Sequence, residues 1–277
     1  MPSDPKGAAM TELILPALTL MVTGAFAGVL AGLLGVGGGI VLVPAFVYIF
    51  EAAGHGGPDL MQMCLATSLA TIIVTSIRSV VAHNRKGAVD WQVLRGWAPW
   101  IALGAMAGAL TVSSLRTATL QVIFGVLVFV IATYMAASKS HWRLAERMPI
   151  GLPRAGFGAF TGFISVLLGI GGGSIGVPLM TLHGRPIHQA VATAAGFGVL
   201  IAAPSVLLFL FMPVSDAPPL TLGSVNLLAF GLVIAMTLIT APWGAALAHR
   251  TDAKRLKRYF AFFLMLVALN MLRKALF

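Results

Sequence analysis

The sequence predicts an all-α polytopic integral membrane protein built from two homologous halves, and three observations carry that prediction. The first is composition: of 277 residues, 58% are hydrophobic and 9% are charged, and mean hydropathy is +0.96. A soluble domain carries about a quarter of its residues as charges, so this chain is dissolved in lipid. The second is a long internal duplication. The third is the charge of the loops, which changes sign between equivalent positions of the two halves.

The duplication is centred on glycine. Gly24 to Gly28, Leu33-Leu34-Gly35-Val36-Gly37-Gly38-Gly39 and Val43-Pro44 return as Gly158 to Gly162, Leu167-Leu168-Gly169-Ile170-Gly171-Gly172-Gly173 and Val177-Pro178. At an offset of 134, 12 of the 21 positions from Gly24 to Pro44 are identical. Ala66-Thr67 returns as Ala192-Thr193 at offset 126, and Gly87-Ala88-Val89-Asp90 as Gly223-Ser224-Val225-Asn226 at offset 136. One transmembrane domain over 1–277 is therefore expected, with repeats at 1–140 and 141–277 and eight to ten helical segments in all.

After its glycine segment each half offers three apolar runs long enough to span a bilayer. They lie near 61–82, 97–113 and 117–137, and near 189–211, 225–247 and 258–276. The 28 residues between Arg154 and His183 would make a straight helix of about 42 Å, too long for a hydrocarbon core of about 30 Å. A hairpin of two part-helices meeting at the glycines fits better there. In the first half the run from Leu13 to Leu34 is long enough to cross, so a full span remains an alternative to a re-entrant one.

Loop charge sets orientation. The loop at 83–96 has Arg85, Lys86 and Arg95 against Asp90, whereas its counterpart at 212–224 has Asp216 and no base. The connection at 113–117 has only Arg116; its counterpart at 248–258 carries Arg250, Lys254, Arg255, Lys257 and Arg258 against Asp252. The loop at 50–61 holds Glu51 and Asp59, and its partner at 183–188 holds Arg185. Each paired loop switches sides, which predicts halves inverted about an axis in the membrane plane. The net charge of +10 is thereby explained by cytoplasmic loops, including Arg143 to Arg154, facing anionic lipid. A nucleic-acid partner is not expected.

A duplicated, glycine-broken apolar segment is the strongest sequence pointer to a transporter's central site. Glycine permits backbone angles that other residues resist, and a helix restarting after it presents unpaired N–H groups at a positive end. Such an end suits an anion. Candidate substrate contacts are therefore Gly37, Gly38, Gly39 and Ile40 in the first half, and Gly171, Gly172, Gly173 and Ser174 in the second. Pro44 and Pro178, five residues past the last glycine of each triplet, are expected to kink or end the restarted helix. Gly24-x-x-x-Gly28-x-x-x-Gly32 and Gly104-x-x-x-Gly108 instead suit close helix packing.

The acids are informative by their placement. Asp4, Glu12, Glu51, Asp59, Asp90, Glu146, Asp216 and Asp252 are all eight of them, and none falls mid-span. Cation carriers and proton relays usually keep an acid inside the membrane, so an anionic substrate is favoured. Neutral donors are available: Thr67, Ser68, Thr71, Thr75 and Ser76 on one span, Gln189 and Thr193 on its counterpart. Arg78 is the one basic residue within a span; it either snorkels to the surface or attracts the anion. His183 and His188 flank the second glycine segment and suit a gate or the protein surface.

Other chemistries find no support. No Lys-Ser/Thr follows either glycine triplet, which excludes a Walker loop. The single cysteine, Cys64, excludes an internal disulfide and a cysteine metal cluster. No nucleophile–base pair or metal spacing appears within the spans, so neither an enzyme, a metal nor a cofactor is expected. Residues 1–10 lack a basic segment followed by a short apolar one, so a cleaved signal peptide is not expected.

At the doubled Leu33–Pro44 and Leu167–Pro178 motif, with Ala66-Thr67-Ser68 and Gly87-x-Val89-Asp90-Trp91, the chain resembles the TauE/SafE family of sulfite exporters, the toluene sulfonate uptake permease family. The resemblance covers nearly the whole chain. It implies a multi-pass permease of the bacterial inner membrane for a small sulfur oxyanion or organosulfonate: sulfite, sulfoacetate or thiosulfate. Where the family carries Thr-Ser, the second copy reads Thr193-Ala194, which argues against a strictly symmetric site. Alternating access, with a proton or ion as coupled partner, is the expected mechanism. An anion channel and a non-transporting membrane scaffold subunit are the alternatives.

Overall fold

The structure is a computed structural model that describes residues 5–34, 38–137, 144–248 and 253–276. Asp4, Gly35, Val36, Gly37, Arg143, Arg250 and Asp252 lie outside the described residues. The chain forms α1 (Pro5–Leu34), α2 (Gly39–Ala52), α3 (Leu60–Asn84), α4 (Trp91–Ser114), α5 (Thr117–Ala137), α6 (Gly151–Leu167), α7 (Gly173–Leu182), α8 (Ile187–Phe209), α9 (Leu227–Ala248) and α10 (Ala253–Leu276). A two-stranded antiparallel hairpin, β1 (Thr221–Leu222) and β2 (Val225–Asn226), precedes α9. The helices predicted from the apolar runs are all present, making this an all-α multi-pass membrane protein. Seven contain a stretch apolar and long enough to cross a membrane; α2 and α7 are shorter apolar helices.

Two helices form the centre. The spanning window of α3 is 78% buried and that of α8 56%, against 22–44% for the other five, so lipid meets the outer helices and protein surrounds α3 and α8. Around them the helices pair across the chain's halves: α1 with α9, α6 with α4, α5 with α10, and α3 with α8. Glycine makes these contacts close, as α1–α9 and α4–α6 show. A Cβ on Gly24 would lie 2.8 Å from Val233 Cα, and one on Gly28 2.8 Å from Thr237 Cα. Thr237 and Thr240 donate across that interface to the carbonyls of Gly24 (3.2 Å) and Ala25 (2.9 Å). Between α4 and α6, Gly104 abuts Ala159, Gly108 abuts Phe163, and Gly162 abuts Ile101. These are packing glycines, as their spacing predicts.

Loop contacts sort the ends of the helices. Arg185 reaches Asp90 at 3.3 Å, and the Leu144 amide donates to the Leu182 carbonyl at 2.8 Å. At the other end, Asp59 accepts from the Ser215 amide (3.0 Å) and hydroxyl (2.5 Å). There too the Thr117 amide donates to Pro58 (2.8 Å) and Lys274 pairs with Glu51. The 83–96 loop thus meets the loop that holds Arg185, and the loop that holds Asp59 meets the 212–224 loop.

The β-hairpin was not anticipated from the apolar pattern. It forms because Gly223 adopts φ 58° in a two-residue turn that only a left-handed residue accommodates comfortably. Pro44 and Pro178 sit inside α2 and α7, which continue to Ala52 and Leu182; neither proline ends its helix.

Candidate functional site

The second glycine turn is built by local hydrogen bonding. α6 closes as Leu168 donates to Ile164, Gly169 to Val166 and Ile170 to Ser165 (2.9 Å). Gly169 takes φ 59°, which reverses the chain. α7 then begins at Gly173, and Gly176 donates to Gly172 at 2.7 Å. The amides just before Gly176 have no intrahelical acceptor, as at any helix start. In the first half Gly38 takes φ 70° ahead of α2, and its carbonyl receives Val41 (3.0 Å) and Leu42 (3.2 Å).

The two turns meet. A Cβ on Gly39 would fall within the Gly169 carbonyl and 3.1 Å from Ile170 Cα, so only hydrogen fits there. The Ser68 hydroxyl donates to Gly169 O at 2.8 Å, tying α3 to the second turn. Farther along α3, Gly171 faces Ile72 and Ser76, while Gly172 sits against Phe197, the Ala194 carbonyl and the Gly198 amide of α8. The structure therefore brings together Gly38, Gly39, Ile40, Ser68, Gly171, Gly172, Gly173 and Ser174 at or beside the two turns, all buried except the half-buried Ser174.

The two repeated threonines are occupied elsewhere. Thr67 Oγ1 accepts the Asn226 amide at 3.0 Å, and Thr193 Oγ1 accepts the Asp90 amide at 2.9 Å. Asp90 Oδ1 caps α4 through Val93 (3.0 Å), and Asn226 Oδ1 receives Ala229 (2.8 Å) in the same way at α9. Thr71 donates to Ser68 O at 2.7 Å, and Thr75 to Thr71 O at 3.1 Å. Gln189 is half-buried in the first turn of α8, and Arg78 is exposed on α3. His188 is exposed, but His183 is buried, with Nδ1 2.7 Å from Leu179 O and its ring edge-on to Phe157. That histidine follows α7 directly, and its ring nitrogen meets a carbonyl of the helix's last turn.

Three hydroxyls at the second turn are unpaired. Ser165 Oγ and Ser174 Oγ are buried with no partner, and Ser76, 8% exposed, makes no hydrogen bond among those formed by the described residues. Ser165 is the one that pattern reading missed. Its signal was available in the repeat, where Ser165 replaces Ala31 of the first copy.

Comparison with known proteins follows the doubled turn. The family described as sulfite exporter TauE/SafE matches residues 20–271. The chain belongs to the TauE/SafE family. A probable membrane transporter protein of Haemophilus influenzae is 34% identical over 259 residues, 93% of this chain and 98% of the relative. A probable membrane transporter protein of Methanocaldococcus jannaschii is 31% identical over 191 residues, covering 66% of this chain and 68% of the relative. The probable membrane transporter protein YunE of Bacillus subtilis is 27% identical over 289 residues, 93% of this chain and 98% of the relative. No solved structure matches. This TauE/SafE chain is thus a multi-pass membrane protein of a transporter family, and its bacterial relatives fit the expected inner-membrane location.

Proposed function

We propose that this TauE/SafE protein is a secondary transporter that carries a small sulfur-containing anion (sulfite, an organosulfonate such as sulfoacetate, or thiosulfate) by alternating access. The observation that carries this reading is the meeting of two glycine turns at Gly39 and Gly169 beside the buried helices α3 and α8. Irregular backbone inside a membrane is tolerated where protein or a wet cavity surrounds it, and the helix starts there favour negative charge.

The halves are read as inverted repeats. Supporting this, α1 packs along α9 and α6 along α4, so the helix before each glycine turn lies against a helix of the other half. Rocking of one half against the other would expose the turns first to one side and then to the other. No nucleotide-binding motif is present in the sequence, so a proton, ion or substrate gradient supplies the energy.

The test is flux of labelled sulfite and sulfoacetate into proteoliposomes, with Gly38→Leu and Gly172→Leu compared with the parent chain. Both substitutions are expected to abolish flux, Gly172→Leu with disturbed packing as well, since a side chain there meets Phe197 and the Ala194 carbonyl. Unchanged flux in both would remove the turns as the site. A channel would give flux that does not saturate with anion concentration, and a scaffold would give none.

A further inference from the structure

We propose that the second glycine turn alone holds the sulfo group, through the hydroxyls of Ser76, Ser165 and Ser174 together with the amino end of α7, and that the guest is a monoanion. This rests on the transport reading above and narrows it, since sulfoacetate and thiosulfate are dianions at neutral pH.

A serine or threonine in a membrane helix ordinarily gives its hydrogen to a carbonyl one turn back or to a neighbouring helix. This chain follows that habit closely. Thr71, Thr161, Ser205 and Thr240 bond a carbonyl of their own helix; Ser68, Ser224 and Thr237 bond carbonyls elsewhere; Thr67 and Thr193 accept amides. Among the buried serines and threonines of the described residues only Ser76 and Ser165 stand outside it, and the buried Ser174 Oγ joins them. An enclosed hydroxyl without a partner, as at Ser165 and Ser174, is costly, and a ligand oxygen removes that cost.

The three surround one short segment. Ser76 Oγ lies 4.0 Å from where a Cβ on Gly171 would sit, and it touches Gly198. The Ser165 carbonyl receives the Ile170 amide at 2.9 Å. Ser174 is in the first turn of α7, among the amides that precede the first bond at Gly176. The 170–174 segment thus contains Ser174, faces the Ser76 hydroxyl of α3 and is bonded to the backbone of Ser165 in α6. Ile72 and Phe197 pack directly against Gly171 and Gly172, so the surroundings of the turn beside these hydroxyls are apolar.

The first half has no such donors. By the repeat offsets, Ser165 corresponds to Ala31, Ser174 to Ile40 and Ser76 to Ala202. A second, equivalent anion site is therefore not built. Charge sets the valence of the guest. The nearest base in sequence, Arg78, is exposed, and positions two apart on a helix do not share a face with Ser76. A helix amino end contributes about half a positive charge and hydroxyls contribute none. That matches one negative charge; a buried dianion would stay under-compensated. Hydrogensulfite and alkylsulfonates suit this site, whereas sulfate does not.

The test titrates the full chain in lipid nanodiscs with methanesulfonate and with sulfate at matched ionic strength. Methanesulfonate should bind at least about tenfold tighter than sulfate. Ser76→Ala, Ser165→Ala and Ser174→Ala should each weaken methanesulfonate about tenfold, as expected for one lost hydrogen bond to a charged group. Ser174→Thr should retain binding, and Thr133→Val, on the outer face of α5, should match the parent. Elution volume and thermal midpoint confirm that each alanine variant is folded. If the parent binds but all three alanine variants bind equally well, the inference fails and the transport reading stands. Equal affinity for sulfate overturns the monoanion assignment. A parent that neither binds nor moves any sulfur anion overturns both.

Discussion

Thr193 on α8 accepts the amide of Asp90 at 2.9 Å, and that amide opens α4 in the other half of the chain. Thr67 on α3 receives Asn226 at the start of α9 at 3.0 Å. Each central helix therefore holds the first residue of a cross-half partner. Thr67→Val leaves a buried amide and Thr193→Val a part-buried one without an acceptor, a cost of about 1–3 kcal/mol each. Thermal unfolding in detergent should show a lower midpoint for both valine variants, with serine in either place restoring most of it. A valine variant as stable as the parent would remove the latch.

Asp90 does two separable jobs. Oδ1 caps α4 through Val93, and Oδ2 pairs with Arg185, whose side chain is 36% exposed. Asp90→Asn keeps the cap, since asparagine caps as well as aspartate, and loses only a partly screened ion pair worth about 0–1 kcal/mol. Asp90→Ala loses both, adding about 1 kcal/mol. Unfolding midpoints should fall in the order parent, asparagine, alanine, and salt should narrow the gap between the first two. The second half already carries the neutral residue, Asn226, in this place.

The paired helices leave no room for side chains at their glycines. A Cβ on Gly104 would fall within the Ala159 carbonyl and 2.7 Å from its Cα, and one on Gly158 2.8 Å from Trp100 Cβ. Gly104→Leu must push α4 and α6 apart, and overpacking costs about 1–3 kcal/mol or more. Size-exclusion profiles of the leucine variant should show loss of the monodisperse peak, whereas Gly231→Leu, with open space around it, should elute as the parent.

End assignment can be measured with the native Cys64 replaced by alanine. Cysteines placed at Asp59 and Ser215, residues that are hydrogen-bonded partners, should form a disulfide on mild oxidation. Single cysteines at Lys86 and Asp216 should be labelled by an impermeant maleimide from opposite faces of the membrane, with Lys86 on the cytoplasmic face. Labelling of both from one face would refute the inverted arrangement.

Much of this was readable from the residues because a lipid solvent leaves few choices. The apolar runs near 61–82 and 117–137 became α3 and α5 within two residues at each end, since every backbone group in hydrocarbon must be paired within a helix. The repeat located both turns, for a glycine triplet cannot continue a helix as comfortably as the leucines before it. What the pattern concealed was the fate of individual hydroxyls. Thr67 and Thr193 stood out by repetition, yet they are bonded to amides more than 100 residues away, a tertiary fact with no local signature. Ser165 broke the repeat, replacing Ala31, and that departure was the more telling sign. The Val225–Asn226 strand depended on a glycine turn at Gly223, too short to register as periodicity.

Counterflow measures the central claim most directly. Proteoliposomes holding purified protein are loaded with unlabelled sulfite and diluted into a trace of labelled sulfite, with no ion gradient imposed. A carrier whose turns face one side at a time should concentrate label transiently above equilibrium, with saturable rates that unlabelled methanesulfonate suppresses. Label that merely equilibrates, without overshoot or saturation, would contradict the account and point to an open pore; no entry at all with any sulfur anion would contradict it entirely.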